Sequence, residues 1–128
     1  MPGGSKRVRV LVVDDQADTA ESFARLLQIM GCAATFVTDA TKAMDAAAAL
    51  DAELVFLDLG MPGIDGYDLA RLFRQRYGER VRLVAVTAYG SDGHRTRSRQ
   101  AGFDAHVVKP IDHPLVESML DTVLATRV

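Results

Sequence analysis

Short apolar runs alternate with longer amphipathic stretches along the whole chain. The runs are rich in β-branched residues and end at Gly, Pro or Asp, which predicts strands. The stretches between them repeat apolar residues every three or four positions, which predicts helices. The predicted strands are 8–13, 33–37, 54–57, 83–86 and 105–108, and the predicted helices are 16–30, a segment through the alanine block 46–49, one from about 65, 91–101 and one after 112.

The regular alternation of strand and helix predicts an α/β fold. Runs such as LVFL at 54–57 and LVAV at 83–86 are apolar throughout, which is typical of parallel strands covered on both faces. We therefore expect a flavodoxin-like, doubly wound (βα)5 domain. Its five-stranded parallel sheet would carry helices on both faces, with a switch point between strands one and three.

Turn and cap residues support these boundaries. Gly31 is placed to end the first helix in a left-handed conformation, Asp39 or Thr41 can cap the second helix, and Asp112 can cap the last. The spacing also predicts which side chains face inward. These are Leu69, Leu72 and Phe73 in the third helix, with Arg71, Arg74 and Arg76 mostly outward, and Leu115, Val116, Met119, Leu120 and Val123 in the last helix.

The composition is that of one globular domain and argues against several classes of function. The 128 residues are 48% hydrophobic and 25% charged, with a net charge of -2. This charge argues against direct nucleic-acid binding, and no apolar run is long enough to span a membrane. The single Cys32 suits a reducing, cytoplasmic compartment; core packing is its expected role, with redox sensing as the minority alternative.

Candidate chemistry lies directly after four of the five apolar runs. Asp14 and Asp15 follow the first run, Asp58 the third, Thr87 the fourth and Lys109 the fifth. Each residue alone has a common structural explanation, such as a helix cap, a turn hydroxyl or a snorkelling lysine. Because parallel strands end at one edge of their sheet, the topology predicts that all five side chains meet there.

Three carboxylates in one pocket repel one another, so they require a cation or a shared proton. Mg²⁺ satisfies such a site, because it typically combines one or two carboxylates with waters and a phosphate oxygen. With the positive charge of Lys109, this set points to an incoming phosphoryl group. Asp58 is the candidate nucleophile, since a carboxylate can form an aspartyl phosphate and Asp58 stands alone on the central strand.

Four motifs make the chain resemble the receiver domains of two-component response regulators. They are VLVVDDQ at 10–16, FLDLGMPGIDGYDLAR at 56–71, VAVTAY at 84–89 and AHVVKP at 105–110. The resemblance implies a receiver domain over 8–126, with 1–7 as a disordered or vector-derived extension. The sequences GFDAHVVKPID and TAYGS are similar to receivers fused to hybrid sensor histidine kinases, so we expect an excised receiver slightly more than a stand-alone regulator.

The resemblance also implies roles for the residues at the strand ends. Asp58 matches the phosphoacceptor, and Asp15, Asp58 and the backbone carbonyl of Gly60 match the direct Mg²⁺ ligands. Asp14 matches the acid that acts on the metal mostly through water.

On the same resemblance, Thr87 matches the hydroxyl that moves to bind the phosphoryl group. Lys109 matches the lysine that pairs with it, and Lys109-Pro110 matches a cis peptide of the family.

Three positions near the strand ends bear on switching and access to the site. His106 stands where the family usually carries Tyr or Phe, the ring that turns inward on phosphorylation. A charge-switching imidazole and an inert strand residue are equally weighted alternatives there. Gly60 departs from the usual pattern because it has no side chain to shield attacking water, and Tyr89 is the candidate to cover the pocket instead.

The resulting hypothesis is a phosphoacceptor switch rather than an enzyme, catalysing only its own phosphorylation and dephosphorylation. Its partner would be a histidine kinase or a histidine phosphotransfer protein, and its output the face formed by the fourth and fifth predicted helices and the fifth strand. The alternative is a binding module that works without phosphorylation. An aspartate-based phosphatase is disfavoured, because such enzymes need a second acid where this chain has Gly60.

A basic cluster in the fourth predicted helix leaves two interpretations open. Arg95, Arg97 and Arg99 form a solvated face, or they pair with Glu117 and Asp121 of a second copy in a homodimer through helices four and five.

Overall fold

The computed structural model describes residues 7–61, 65–88, 97 and 99–126. The strands are β1 (Arg9–Val13), β2 (Ala33–Val37), β3 (Leu54–Asp58), β4 (Arg82–Thr87) and β5 (Ala105–Val108), and the described α-helices are α1 (Ala17–Ile29), α2 (Ala43–Leu50), α3 (Gly66–Tyr77) and α4 (His113–Ala125). Short 3₁₀ turns precede α2 at Ala40–Lys42 and follow α3 at Gly78–Arg80. Most of the predicted helix 91–101 lies outside the described residues; within it, 97 and 99–101 are helical.

The five strands form one parallel sheet in the order β2-β1-β3-β4-β5. The chain therefore reverses its direction of winding at β1, which lies between β2 and β3, and the predicted switch point is confirmed. In this register Val13 lies opposite Leu57, and Asp58 lies opposite Val86. The residues that directly follow β1 and end β3 are thus neighbours at the carboxyl edge of the sheet.

Alternating strand residues feed two separate cores, as expected for a sheet covered on both faces. On one face, Leu11, Val55 and Leu83 pack with buried residues of α2 and α3. On the other, Val10 and Phe56 pack with buried residues of α1 and α4. Helices on both faces are therefore confirmed.

Helix ends follow the predicted cap chemistry. Asp112 accepts a hydrogen bond from the Leu115 N–H at 2.8 Å. Asp39 accepts one from the Thr41 N–H at 2.9 Å and so caps the 3₁₀ turn that leads into α2, not α2 itself. Gly31 follows α1 at a φ of 96°, a conformation that favours glycine.

Cys32 is 5% exposed, and burial raises the pKa of its thiol, in agreement with a packing role. No helix in the described part of the chain combines the length and apolar character needed to cross a membrane.

Some of the predicted side-chain orientations are wrong. Leu72 is 50% exposed, because the buried stripe of α3 runs through Leu69, Ala70 and Phe73 and leaves the preceding residue on its flank. Leu115 is 38% exposed in the first turn of α4. Arg97 of the predicted basic cluster is 58% exposed, in agreement with a solvated face, and its guanidinium also lies over the Tyr67 ring of α3.

Arg74 was expected to point outward, yet its side chain is only 19% exposed. Its guanidinium donates to the carbonyl oxygens of Gly102, Gly78 and Val81 at 2.7, 2.8 and 2.6 Å, and to a carboxylate oxygen of Asp104 at 2.6 Å. One cation thus joins the end of α3 to the starts of β4 and β5. It satisfies backbone carbonyls at the amino edge of the sheet that would otherwise lose a partner.

Replacing Arg74 by Met keeps the apolar stem but removes these hydrogen bonds. We expect the free energy of unfolding to fall by about 2–3 kcal/mol, because hydrogen bonds to a charged group are lost from partly buried carbonyls. Urea unfolding followed by circular dichroism measures this. Arg71→Met is the matched control, since Arg71 is half-exposed and its ion pair within the described part of the chain is with Asp68 on its own helix. Equal losses in the two variants would contradict this role of Arg74.

Candidate functional site

Two buried carboxylates lie side by side at the carboxyl edge of the sheet. Asp58 is the last residue of β3 and Asp14 directly follows β1; they are 6% and 5% exposed. Asp15 follows Asp14 and is half-buried. One carboxylate oxygen from each of the three lies within 4.8 Å of the others. The predicted convergence of the acids at this edge is therefore present.

Backbone amides hold the two buried carboxylates in place. The Gln16 N–H donates to Oδ1 of Asp14 at 2.9 Å, and the Gly60 N–H donates to Oδ1 of Asp58 at 2.8 Å. A Cβ at position 60 would lie 3.3 Å from that same Asp58 oxygen. Glycine therefore lets the loop after β3 close tightly on Asp58, a role that the sequence analysis missed.

Lys109 brings one positive charge to the cluster. Its Nζ lies 3.1 Å from Oδ2 of Asp58 and 3.7 Å from Oδ2 of Asp14. The Lys109 N–H donates to the Thr87 carbonyl at 2.8 Å, which ties the end of β5 to the end of β4. The peptide bond between Lys109 and Pro110 is cis, as the resemblance implies.

The charges in this pocket do not balance. Three carboxylates face one ammonium group, and burial raises the pKa of Asp14, with a further increase from the neighbouring charge of Asp58. The hydrogen bond from Gln16 and the charge of Lys109 oppose this rise in the pKa. Oxygen donors at this spacing fit Mg²⁺, whose ligands lie about 2.0–2.1 Å from the ion and include bridging waters.

Of the remaining predicted site residues, the structure describes Thr87 and His106. Thr87 ends β4, is 6% exposed and pairs in register with Val108. His106 lies on β5 opposite Ala85 and is half-buried. Tyr89 lies outside the described residues, as does most of the 91–101 segment.

A cavity of about 690 Å³ opens beside the carboxylates, between α1 and the chain that follows β5. Phe23 and Leu26 of α1 line its apolar side, and the rings of Phe23 and Phe56 meet edge to face at 4.9 Å. Asp14, Asp58 and Lys109 line its polar end. The sequence pattern does not predict this cavity, although the apolar stripe of α1 signals a packed face there.

The family of this chain follows from its sequence. A family model described as the response regulator receiver domain matches residues 10–121. The chain belongs to this family. The receiver domain is 36% identical over 104 residues to the DNA-binding response regulator MtrA of Mycolicibacterium paratuberculosis, an alignment that covers 81% of this chain and 45% of MtrA. The chain spans about half the length of the curated response regulators that it matches.

Solved structures agree with the fold of the receiver domain. The chemotaxis protein CheY4 of Vibrio cholerae superimposes with a TM-score of 0.83 at 20% identity, covering 91% of this chain and 98% of that one. A CheY-like response regulator receiver domain from Methylobacillus flagellatus gives a TM-score of 0.78 at 29% identity, with 91% and 98% covered.

Replacing Asp14 by Asn is expected to stabilise the metal-free receiver domain at pH 7. The change removes one of the clustered charges and keeps an oxygen for the Gln16 N–H. Because folding raises the pKa of Asp14, the stability associated with its protonated form is lost as pH rises through that pKa. The thermal midpoint in EDTA should therefore exceed that of the unsubstituted protein by a few degrees at pH 7 and by less in acid.

The control for this prediction is Asp45→Asn, which removes an exposed charge in the first turn of α2. Circular dichroism melts of both variants separate a local effect from a change in net charge. An equal rise in both midpoints, or none in Asp14→Asn, would show that the carboxylates do not repel one another in the folded protein.

Proposed function

We propose that Asp58 accepts a phosphoryl group from a phosphohistidine, and that Lys109 and Mg²⁺ balance the charge of the transferred group. The observation that carries this proposal is the pairing of Asp58 with Lys109 at 3.1 Å inside a cluster of three carboxylates. A buried carboxylate beside both an ammonium group and a cluster of carboxylate oxygens suited to a cation is well placed for nucleophilic attack on phosphorus.

In the proposed step, a carboxylate oxygen of Asp58 forms a bond to phosphorus while the bond from phosphorus to the donor imidazole breaks. The imidazole leaves with the electron pair of that bond and takes up a proton. The Gly60 N–H fixes Oδ1 of Asp58, and Lys109 lies against Oδ2, so the carboxylate is oriented before the donor arrives. The cavity beside α1 offers the donor access to this end of the sheet.

Asp15, Asp58 and the Gly60 carbonyl would hold the metal directly, and Asp14 would hold it mostly through water. When bound, Mg²⁺ supplies positive charge to the transferring phosphoryl oxygens. This assignment is supported by the spacing of the carboxylate oxygens and by the excess of negative charge in the pocket.

After transfer, Lys109 would pair with the phosphoryl oxygens and the Thr87 hydroxyl would move to bind them. The displacement of Thr87 would alter the face formed by the fourth predicted helix, β5 and α4, where His106 and Tyr89 are the candidate switch and access residues. We propose a histidine kinase or a phosphotransfer protein as the donor, with the domain acting in the cytoplasm and not as a metabolic enzyme.

Acetyl phosphate provides the direct test of this function. With Mg²⁺ the protein should take up one phosphoryl group, whereas Asp58→Asn should lose uptake because the amide is a poor nucleophile. Intact-protein mass spectrometry at acidic pH measures the phosphorylated fraction. EDTA should reduce uptake in the unsubstituted protein at least tenfold.

Asp121→Asn is the control, since it removes an exposed carboxylate of α4 that belongs neither to the acidic cluster nor to the cavity beside it. Phosphorylation of Asp58→Asn at the unsubstituted rate would contradict the assignment. Absence of uptake by the unsubstituted protein, in the presence of measured Mg²⁺ binding, would favour the phosphorylation-independent binding module.

A further inference from the structure

The cavity beside α1 has the size of a small-molecule site. Its volume of about 690 Å³ lies within the roughly 300–1,000 Å³ of pockets that bind such ligands. Phe56 forms part of the wall on the sheet and is 1% exposed, whereas Ser22 of α1 lies at the exposed side of the lining. The cavity therefore extends from the protein surface to the buried core.

Apolar side chains form most of the wall. Phe23 and Leu26 line it from α1, and Ile111 lines it from the chain after β5. Phe23 and Ile111 also pack against the buried core on this face of the sheet, and the ring of Phe23 meets that of Phe56 edge to face. Because these contacts hold the wall in place, an aromatic ring or a short aliphatic chain that enters the cavity leaves water for a preformed apolar surface.

The polar end of the cavity carries an excess of negative charge. Asp14 and Asp58 line this end together with Lys109, whose Nζ lies 3.7 and 3.1 Å from their Oδ2 atoms. Asp15 brings a third carboxylate oxygen within 4.8 Å of the other two, and Asp18 adds an exposed carboxylate to the lining. A second cation at this end lowers the repulsion between the clustered carboxylates, whereas an anion adds to it.

We propose that the cavity binds a small organic cation, in which one ammonium group is joined to an aromatic or short aliphatic body. The body packs against Phe23, Leu26 and Phe56, and the ammonium group lies among the carboxylates of Asp14 and Asp58. The ligand and Mg²⁺ then compete, because both neutralise the same oxygens. The regulatory consequence rests on the proposed function: a bound ligand slows phosphorylation of Asp58 by excluding Mg²⁺ and the donor.

Three probes with one body and different head groups test the chemistry of the site. They are phenylbutylammonium, phenylbutanol and phenylbutyrate, each titrated into the whole chain in EDTA and followed by backbone NMR shifts. The ammonium probe should bind at least about 5-fold more tightly than the alcohol and at least about 10-fold more tightly than the carboxylate, because the polar end is negative. Equal affinities, or no shifts at the cavity with the ammonium probe, overturn the proposal.

Leu26→Ala tests the apolar wall. It should weaken binding of phenylbutylammonium about 3- to 10-fold, because a half-buried apolar contact with the ligand is lost. Ile29→Ala is the matched control, since Ile29 lies on the same helix, is 79% exposed and does not line the cavity. Equal affinities of the two variants overturn the placement of the ligand, and the probe comparison stands even if one variant fails to fold.

Competition with Mg²⁺ is a further readout that needs no variant. At a Mg²⁺ concentration tenfold above its own dissociation constant, simple competition raises the dissociation constant of phenylbutylammonium about 11-fold. An unchanged dissociation constant overturns the exclusion of Mg²⁺ by the ligand.

Phosphoryl uptake from acetyl phosphate separates this proposal from the proposed function. With Mg²⁺ near its dissociation constant, saturating phenylbutylammonium should slow uptake several-fold, and an unchanged rate despite measured binding overturns the regulatory role. Normal uptake by a protein that does not bind the ammonium probe overturns the ligand site and leaves the proposed function intact. Binding of the probe by a protein that takes up no phosphoryl group, even without the probe, contradicts the proposed function and leaves the ligand site standing.

Discussion

The ion pair between Lys109 and Asp58 joins the third strand of the sheet to the residue that follows the fifth. Asp14, which directly follows the first strand, shares the same ammonium group at 3.7 Å. Three separate segments therefore end at one group of charges, and only a parallel sheet with this strand order brings them together. Because the negative charges outnumber the positive one, this arrangement favours the binding of a cation over the stability of the metal-free fold.

The two edges of the sheet use charge in opposite ways. At the carboxyl edge, repelling carboxylates are held apart from solvent, which raises the pKa of Asp14 and limits stability. At the amino edge, Arg74 satisfies carbonyl oxygens and the Asp104 carboxylate with short hydrogen bonds. The hydrogen bonds at the amino edge thus stabilise a sheet whose carboxyl edge holds carboxylates that repel one another. Helix α3 runs between the two edges, with Asp65 at its start and Arg74 near its end.

Sequence reasoning predicted the sheet and the acidic cluster because both depend on local patterns. Apolar runs such as 54–57 mark buried strands, and a polar residue directly after such a run must lie at the sheet edge. The predicted orientation of Arg74 was wrong because it depends on partners far along the chain. Arg74 finds Gly102 and Asp104 about 30 positions away, and no helical periodicity reports such a partner. The cavity beside α1 depends on how Phe23 and Phe56 pack, which is also a tertiary property.

The most direct test of the account is to identify which residue carries the phosphoryl group. After reaction with acetyl phosphate and Mg²⁺, borohydride reduces an aspartyl phosphate to homoserine, and peptide mass spectrometry locates the change. The account predicts homoserine at position 58, because that carboxylate alone combines the Gly60 amide with the Lys109 ammonium among the described residues. Homoserine at position 14 or 15 instead, with Asp58 unmodified, would contradict it.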